Sequence, residues 1–159
     1  MRAFDVLPID DALRKRVQPI VDGTWGAPFI AVDGRLWDTR VLPGFAAVCA
    51  GEPLGYLLYA LHGGCEIMAL ESVERGIGVG SALIERVKRV AKDVGAGRLT
   101  VCTTNDNVNA FRFYQRRGFA LCALRVGAID DARRLKPSIP LVGEDGIPLR
   151  DELVFEFAL

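Results

Sequence analysis

Arg75-Gly76-Ile77-Gly78-Val79-Gly80, continued by Ser81-Ala82-Leu83, is the stretch from which the fold is read. Three alternate glycines let a chain turn tightly with no Cβ in the way. Their N–H groups can converge on an anion. The first turn of a following helix adds unpaired donors and the positive end of its dipole. Such a turn is a phosphate cradle, to which Arg75 adds a charge-assisted contact. The same residues also read as plain turn chemistry before a helix. The Walker pattern GxxxxGK[ST] is absent, and the dinucleotide pattern GxGxxG fits poorly because Ser81, Ala82 and Leu83 follow Gly80. The acidic residue that pattern needs about twenty positions on is also lacking.

Outward from the cradle, Gly78–Val94 predicts a helix, with Leu83, Ile84, Val87, Val90, Ala91 and Val94 on one face. Glu85, Lys88, Arg89 and Lys92 take the other face, and Gly95 and Gly97 end it. Upstream, Phe45–Ala50, Leu54–Leu61 and Cys65–Val73 read as strands joined by turns at Gly51-Glu52-Pro53 and Gly63-Gly64. Downstream come a strand at Leu99–Thr103, a helix at Asn107–Arg117 closed by Gly118, and a strand at Phe119–Val126. A short helical turn at Asp130–Lys136, an irregular loop through Pro140, Gly143, Gly146 and Pro148, and a last strand at Leu153–Ala158 follow. At the start, Arg2–Leu7 reads as a strand. A helix opens at Ile9-Asp10-Asp11, carries Ala12, Leu13, Val17, Ile20 and Val21, and is kinked or shortened by Pro19. Thr24–Asp38 reads as an irregular loop with a half-formed helix. The order predicts a mixed α/β single sheet with central hairpins and one parallel crossover.

A second motif runs Thr103-Thr104-Asn105-Asp106-Asn107-Val108-Asn109-Ala110-Phe111-Arg112-Phe113-Tyr114-Gln115-Arg116-Arg117-Gly118-Phe119. With it the chain resembles the GNAT family, the GCN5-related N-acetyltransferases. The family signature [QR]-x-x-G-x-[GA] is matched by Arg75, Gly78 and Gly80. The helix signature N-x-x-A-x-x-[FL]-Y-x-x-x-G-F is matched by Asn107, Ala110, Phe113, Tyr114, Gly118 and Phe119. The resemblance covers about Leu42 to Val126. Ile77 stands where a polar residue is frequent, and no proline precedes Arg75; neither change blocks a cradle made of backbone N–H groups.

The resemblance implies a mixed central sheet splayed between its fourth and fifth strands, here Cys65–Val73 and Leu99–Thr103, with helices on both faces. It implies acetyl-CoA as co-substrate, lying in the splay. The pyrophosphate would sit on Arg75, Gly76, Ile77, Gly78, Val79, Gly80 and Ser81. The pantetheine arm would pair with Leu70, Ser72 and Val73 as an added strand does, and Asn107 would contact the arm. Tyr114 is the candidate proton donor to the thiolate, since a phenol of pKa about 10 stays protonated at neutral pH. The Leu70 N–H is the candidate oxyanion donor.

The base would be a carboxylate, Glu66 or Glu71. Strict strand alternation puts these two on opposite faces unless a bulge intervenes. Glu66 is narrowly favoured because Glu66-Ile67 looks like the start of the same strand in histone-type members. Each residue also has a plainer reading: Tyr114 as core aromatic, Asn107 as N-cap, Arg75 and both glutamates as solvated charges, Trp25 and Trp37 as packing residues. The loops Thr24–Asp38 and Ala128–Glu152 are expected to shape the acceptor site.

Composition bounds the rest. The chain has 159 residues and reads as one domain over 1–159. Lysines and arginines number 20, aspartates and glutamates 20, for a net charge of zero, which disfavours a nucleic-acid partner. Within that zero, residues 75–136 hold 13 basic and 5 acidic side chains and the remainder 7 and 15. This division suggests a cationic acceptor steered by the acidic part. Cys49, Cys65, Cys102 and Cys122 form no C-x-x-C pair and read as small buried hydrophobes; with His62 as the one histidine, no metal site is expected. Leu54–Leu61 is too short to span a bilayer, and MRAFDVLPID reads as no signal peptide. The expectation is therefore a cytoplasmic N-acetyltransferase acting on a small-molecule or peptide amine, with a homodimer allowed and no membrane partner. The alternatives are a non-catalytic acyl-CoA-binding sensor on the same fold and, less in keeping with the second motif, an unrelated nucleotide-binding protein.

Overall fold

The computed structural model describes residues 3–159, so Arg2, at the head of the first expected strand, lies outside the described residues. Strand β1 is Asp5–Pro8, helix α1 Asp11–Trp25, β2 Phe29–Val32, β3 Arg35–Asp38, β4 Gly44–Cys49, β5 Glu52–Ala60 and β6 Cys65–Ser72. Helix α2 (Val79–Asp93), β7 (Arg98–Thr104), α3 (Val108–Gln115), β8 (Ala120–Arg125), α4 (Ala128–Leu135) and β9 (Glu152–Ala158) follow. Seven strands form one sheet in the order β1-β4-β5-β6-β7-β9-β8. Every neighbouring pair is antiparallel except β6 and β7.

The two faces of the sheet carry separate cores. On one, Val79, Leu83, Ile84, Val87 and Ala91 of α2 and Tyr114 of α3 pack on Phe45, Leu57, Ile67, Leu99 and Phe155. On the other, Val17 and Val21 of α1 pack on Ala46, Tyr56, Leu58, Met68 and Ala69. Helix α1 begins where Asp10 accepts from the Leu13 N–H (2.8 Å) and ends at Gly26 in the left-handed region. It runs through Pro19 to Trp25 and is not shortened.

The segment expected to be irregular is ordered. Thr24 and Trp25 close α1, and β2 and β3 form a separate two-stranded hairpin. Its turn is Asp33-Gly34, both at positive φ (54° and 69°), the conformation a two-residue hairpin turn demands. Alternating Phe29–Val32 and Arg35–Asp38 around an Asp-Gly pair was a readable hairpin signal that the Gly- and Trp-rich composition masked. The expected turn Asp130–Lys136 is a two-turn helix starting at Ala128, with Ile129 and Ala132 buried. Its end is tied to the hairpin: Lys136 Nζ donates to the Trp25 and Phe29 carbonyls (2.6 and 3.0 Å).

Gly55 lies where β5, β6 and α2 meet. A Cβ there would stand 2.5 Å from the Glu71 carbonyl oxygen and 2.6 Å from Val79 Cγ1. The backbone of β6 cannot yield without losing its ladder. Gly55→Ala is therefore expected to destabilise the fold by about 1–3 kcal/mol, read as a lower urea midpoint at unchanged slope.

Candidate active site

Strands β6 and β7 pair only at Cys65↔Leu99, Glu66↔Thr100 and Ile67↔Val101. Beyond this they part, leaving a cleft of about 730 Å³ with Leu70, Glu71 and Ser72 on one wall and Val101, Cys102 and Thr103 on the other. The Val73 N–H donates to the Leu54 carbonyl on β5 (2.8 Å). Backbone groups alternate direction along a strand, so those of Leu70 and Ser72 point into the cleft. An extended ligand can pair with them as an extra strand would.

One extra residue in β6 decides which side chains face which side. The register with β5 jumps from Leu58↔Ala69 to Tyr59↔Ile67, leaving Met68 as a bulge. Met68 and Ala69 consequently both pack on the α1 side, while Ile67 packs on the α2 side. Alternation resumes out of phase. Glu66 and Glu71, opposite under strict alternation, thus share the α1 face. Glu71 Oε2 accepts from Thr24 Oγ1 of α1 (2.9 Å), and Glu71 lines the cleft. Glu66 stands behind the opposite wall, where Cys102 Sγ donates to its Oε1 at 3.5 Å.

The glycines of the cradle do two different jobs. Gly76 and Gly78 adopt φ of 83° and 87°, so they supply the left-handed turn. Gly80 has ordinary backbone, but a Cβ on it would lie 2.8 Å from Phe113 Cζ, so it admits α3 against the start of α2. Gly78 caps α2 with no side-chain hydrogen bond, leaving the first-turn N–H groups without a capping side chain. Arg75, Gly76, Gly78, Val79 and Gly80 line the cleft. Ile77 packs instead into the α2-side core, the Val73 side chain is exposed, and Ser81 is engaged by Arg117, whose Nε donates to Ser81 Oγ at 3.0 Å.

Helix α3 brings Asn107, Tyr114 and Arg117 to the same cleft. Asn107 is the N-cap, its Oδ1 accepting from the Ala110 N–H (2.9 Å), and also lines the cleft. Tyr114 is buried among Phe113, Phe119 and Phe155. Burial holds its phenol protonated well above the usual range, against the opposing charge of Arg117. Arg117 was not among the expected site residues. The readable signal was its place three residues after Tyr114, where the turn closing α3, with the Arg117 N–H donating to the Tyr114 carbonyl (3.0 Å), keeps the two close.

On the α1 face, Arg125 of β8 forms ion pairs with Asp33 of the hairpin turn and with Glu152 of β9 (2.9 Å to Glu152). Burial first, then Asp33, pushes the Glu66 carboxyl above the usual carboxylate range, against Cys102 and Arg125. The Asn105 side chain pins the loop after α4, accepting from the Arg150 and Asp151 N–H groups (both 3.0 Å) and donating to the Pro148 carbonyl (2.8 Å). Asp106 Oδ2 accepts from the Glu144 N–H (2.9 Å), and Glu144 lines the cleft with Trp25. Of the cysteines, Cys65 is buried but Cys122 is exposed, because β8 ends the sheet. His62 lies edge-on to Trp37, ring centroids 6.4 Å apart. No group of three or more metal-ligating side chains occurs among the described residues.

The model of the Acetyltransferase (GNAT) family matches residues 16–119. The protein YdhI of Bacillus subtilis (strain 168), described as uncharacterized, is 40% identical over 152 residues, covering 94% of this chain and 95% of its own. A streptothricin acetyltransferase of Streptomyces lavendulae is 34% identical over 109 residues, covering 65% of this chain and 53% of its own. Among solved structures, a GNAT family acetyltransferase from Elizabethkingia anophelis with acetyl-CoA bound superposes with a TM-score of 0.70 at 17% identity, covering 98% of each chain.

Burial raises the pKa of all three tyrosines, Tyr56 (to about 12), Tyr59 and Tyr114. At pH 10, where free tyrosine is half ionised, the native protein is expected to show little phenolate absorbance, with about half of the full signal appearing on unfolding. The unfolded chain ionises first, so stability holds below about pH 10 and falls as pH rises further. A native titration curve matching free tyrosine would contradict the burial of Tyr114.

Proposed function

Because the chain belongs to the GNAT family of acetyltransferases, we propose that it acetylates a primary amine of a small cationic molecule, using acetyl-CoA as donor. The observation that carries the proposal is the open edge of β6 at Leu70–Ser72 sharing one cleft with the buried phenol of Tyr114. The cleft suits the donor along its length. The cradle of Arg75 and Gly76–Ser81 offers backbone N–H groups to the pyrophosphate. Leu70 and Ser72 offer backbone groups to the pantetheine amides, with Asn107 beside them. Val73 has no part in that pairing, since its N–H is spent on Leu54.

Acetyl-CoA supplies an activated acyl group and a thiolate leaving group. This chain's residues supply the rest. The Leu70 N–H stabilises the charge developing on the carbonyl oxygen. Glu66 takes the ammonium proton so that the neutral amine can attack. Its raised pKa makes it a stronger base than an ordinary carboxylate, and its place behind Cys102 routes the proton through water. Tyr114 donates its phenolic proton to the departing sulfur and is restored by the second proton that the nitrogen loses as the amide forms. Glu71, held by Thr24, faces the cleft as a carboxylate for the acceptor's positive charge. The likeness to a streptothricin acetyltransferase supports acetyl transfer as the reaction.

A panel of amines assayed by thiol release tests the reading. Tyr114→Phe is expected to lower kcat roughly 100-fold with acetyl-CoA affinity unchanged. The rate should fall with decreasing pH through the raised Glu66 pKa, and Glu66→Gln should remove that limb. Tight acetyl-CoA binding with no turnover on any amine would favour a sensor instead, and no acetyl-CoA binding would end the proposal.

A further inference from the structure

Arg117 carries a positive charge into the donor cleft and meets no negative one. Its guanidinium sits over Phe113, Cζ 3.5 Å from the ring centroid. Its Nε donates to Ser81 Oγ and its Nη1 to the Phe113 carbonyl, both at 3.0 Å. These contacts fix the plane of the group but neutralise nothing, and no carboxylate among the described residues forms an ion pair with it. The neighbouring charges make its position worse. Arg116 precedes it in sequence, and Ser81 belongs to the first turn of α2, the positive end of that helix dipole. Two other half-buried arginines are compensated, Arg125 by Asp33 and Glu152 and Arg133 by Asp130. Arg14, which donates to the Thr39 and Leu42 carbonyls, and Arg86, which lies over Phe45, form no ion pair among the described residues either, but neither lines the donor cleft. Burial also works against the charge of Arg117. A guanidinium oriented by stacking and hydrogen bonds, lining a cleft, and lacking a counter-ion is arranged for an anion that arrives from outside.

We propose that Arg117 is a phosphate-binding residue of the donor site, completing the Gly76–Ser81 cradle from α3 as the counter-ion of the donor's pyrophosphate. This rests on the acetyl-CoA reading above and adds a residue at a position the second family signature leaves unspecified. The pyrophosphate is the partner because Arg117 is tied to Ser81, inside the cradle. By this account α3 contributes to the donor site at both ends, Asn107 toward the pantetheine arm and Arg117 toward the phosphates. It also makes the site select a donor bearing a pyrophosphate over one bearing only pantetheine.

The test compares acetyl-CoA, acetyl-dephospho-CoA and acetyl-pantetheine as donors for wild type, Arg117→Gln and Arg117→Lys. Wild-type binding of acetyl-CoA by calorimetry checks the underlying reading separately. A charge-assisted contact is worth roughly a 10- to 100-fold change in affinity. Arg117→Gln is therefore expected to raise KM for acetyl-CoA and acetyl-dephospho-CoA by about that factor, with kcat little changed. Its kcat/KM for acetyl-pantetheine should stay within about twofold of wild type, and Arg117→Lys should recover part of the loss on the two nucleotide donors. An equal loss on all three donors would show that Arg117 only props Ser81 and Phe113, and would overturn the proposal. A penalty that vanishes with acetyl-dephospho-CoA would assign the charge to the 3′-phosphate, and would overturn the pyrophosphate assignment.

Discussion

Everything else in this molecule depends on two strands that start as partners and then let go. After Ile67 and Val101, β6 and β7 exchange no ladder hydrogen bonds. Each is committed elsewhere: β6 to β5 along its length, and β7 to β9 through seven consecutive pairs from Arg98↔Ala158 to Thr104↔Glu152. The sheet is thus two half-sheets joined by a three-residue hinge of parallel pairing. Helices bridge the opening, with α2 packed on the β4–β6 half and α3 on Phe155 of the other. They meet at Gly80, where Phe113 occupies the space of a missing Cβ. A side chain there would drive the helices apart at the point where the cradle, Ser81 and Arg117 come together. The backbone groups left unpaired at Leu70 and Ser72 remain in the open cleft, where water or a ligand satisfies them.

The bulge at Met68 is the second constraint, and it acts on chemistry rather than on shape. A regular β6 would send Glu66 and Glu71 to opposite faces. One inserted residue brings both to the side of α1 and the hairpin, with the cleft between Glu71 and the Cys102 wall. The hairpin is anchored there twice, by Asp33 to Arg125 and by Lys136 to the carbonyls of Trp25 and Phe29. Segments far apart in the chain are drawn over one face of the splay. Loops on a fixed scaffold adjust specificity without disturbing the core. The fixed part here is the β6–β7 hinge, and the adjustable part is the hairpin with the Asn105- and Asp106-pinned loop.

Much of this was legible. The glycines and the N-x-x-A-x-x-F-Y helix placed the cradle, α2 and α3, because turn chemistry and helical period act locally; the splay followed only from the family resemblance that these motifs carry. The Met68 bulge was not legible. An apolar residue in an apolar strand reads the same whether it pairs or is skipped, and register is set by contacts across strands. The place of β9 between β7 and β8 was hidden for the same reason: strand order is a long-range property. The β2–β3 hairpin was legible in its Asp33-Gly34 turn but not in its composition, since neither strand joins the main sheet. Ile77, within the cradle motif, faces the core because only the backbone of that motif needs to face the cleft. Arg117 was written beside Tyr114 in the sequence, yet its lack of a counter-ion is visible only once every acidic side chain has a place.

That last point gives the zero net charge a physical meaning. On the α1 face, one guanidinium, Arg125, stands among three carboxylates, Asp33, Glu66 and Glu152. On the α2 and α3 face, Arg117 stands with no carboxylate and Arg75 shares its cleft. An excess negative charge and an unmatched positive charge on opposite sides of one sheet do not cancel, because the hinge and its apolar walls lie between them. Each imbalance raises the free energy of the empty protein and is relieved by a ligand of the opposite sign. The cationic amine proposed as acceptor answers the first side, and a polyanionic donor answers the second. On this view the two substrates are held by complementary defects in a neutral chain, and occupancy of either side leaves the attraction for the other in place.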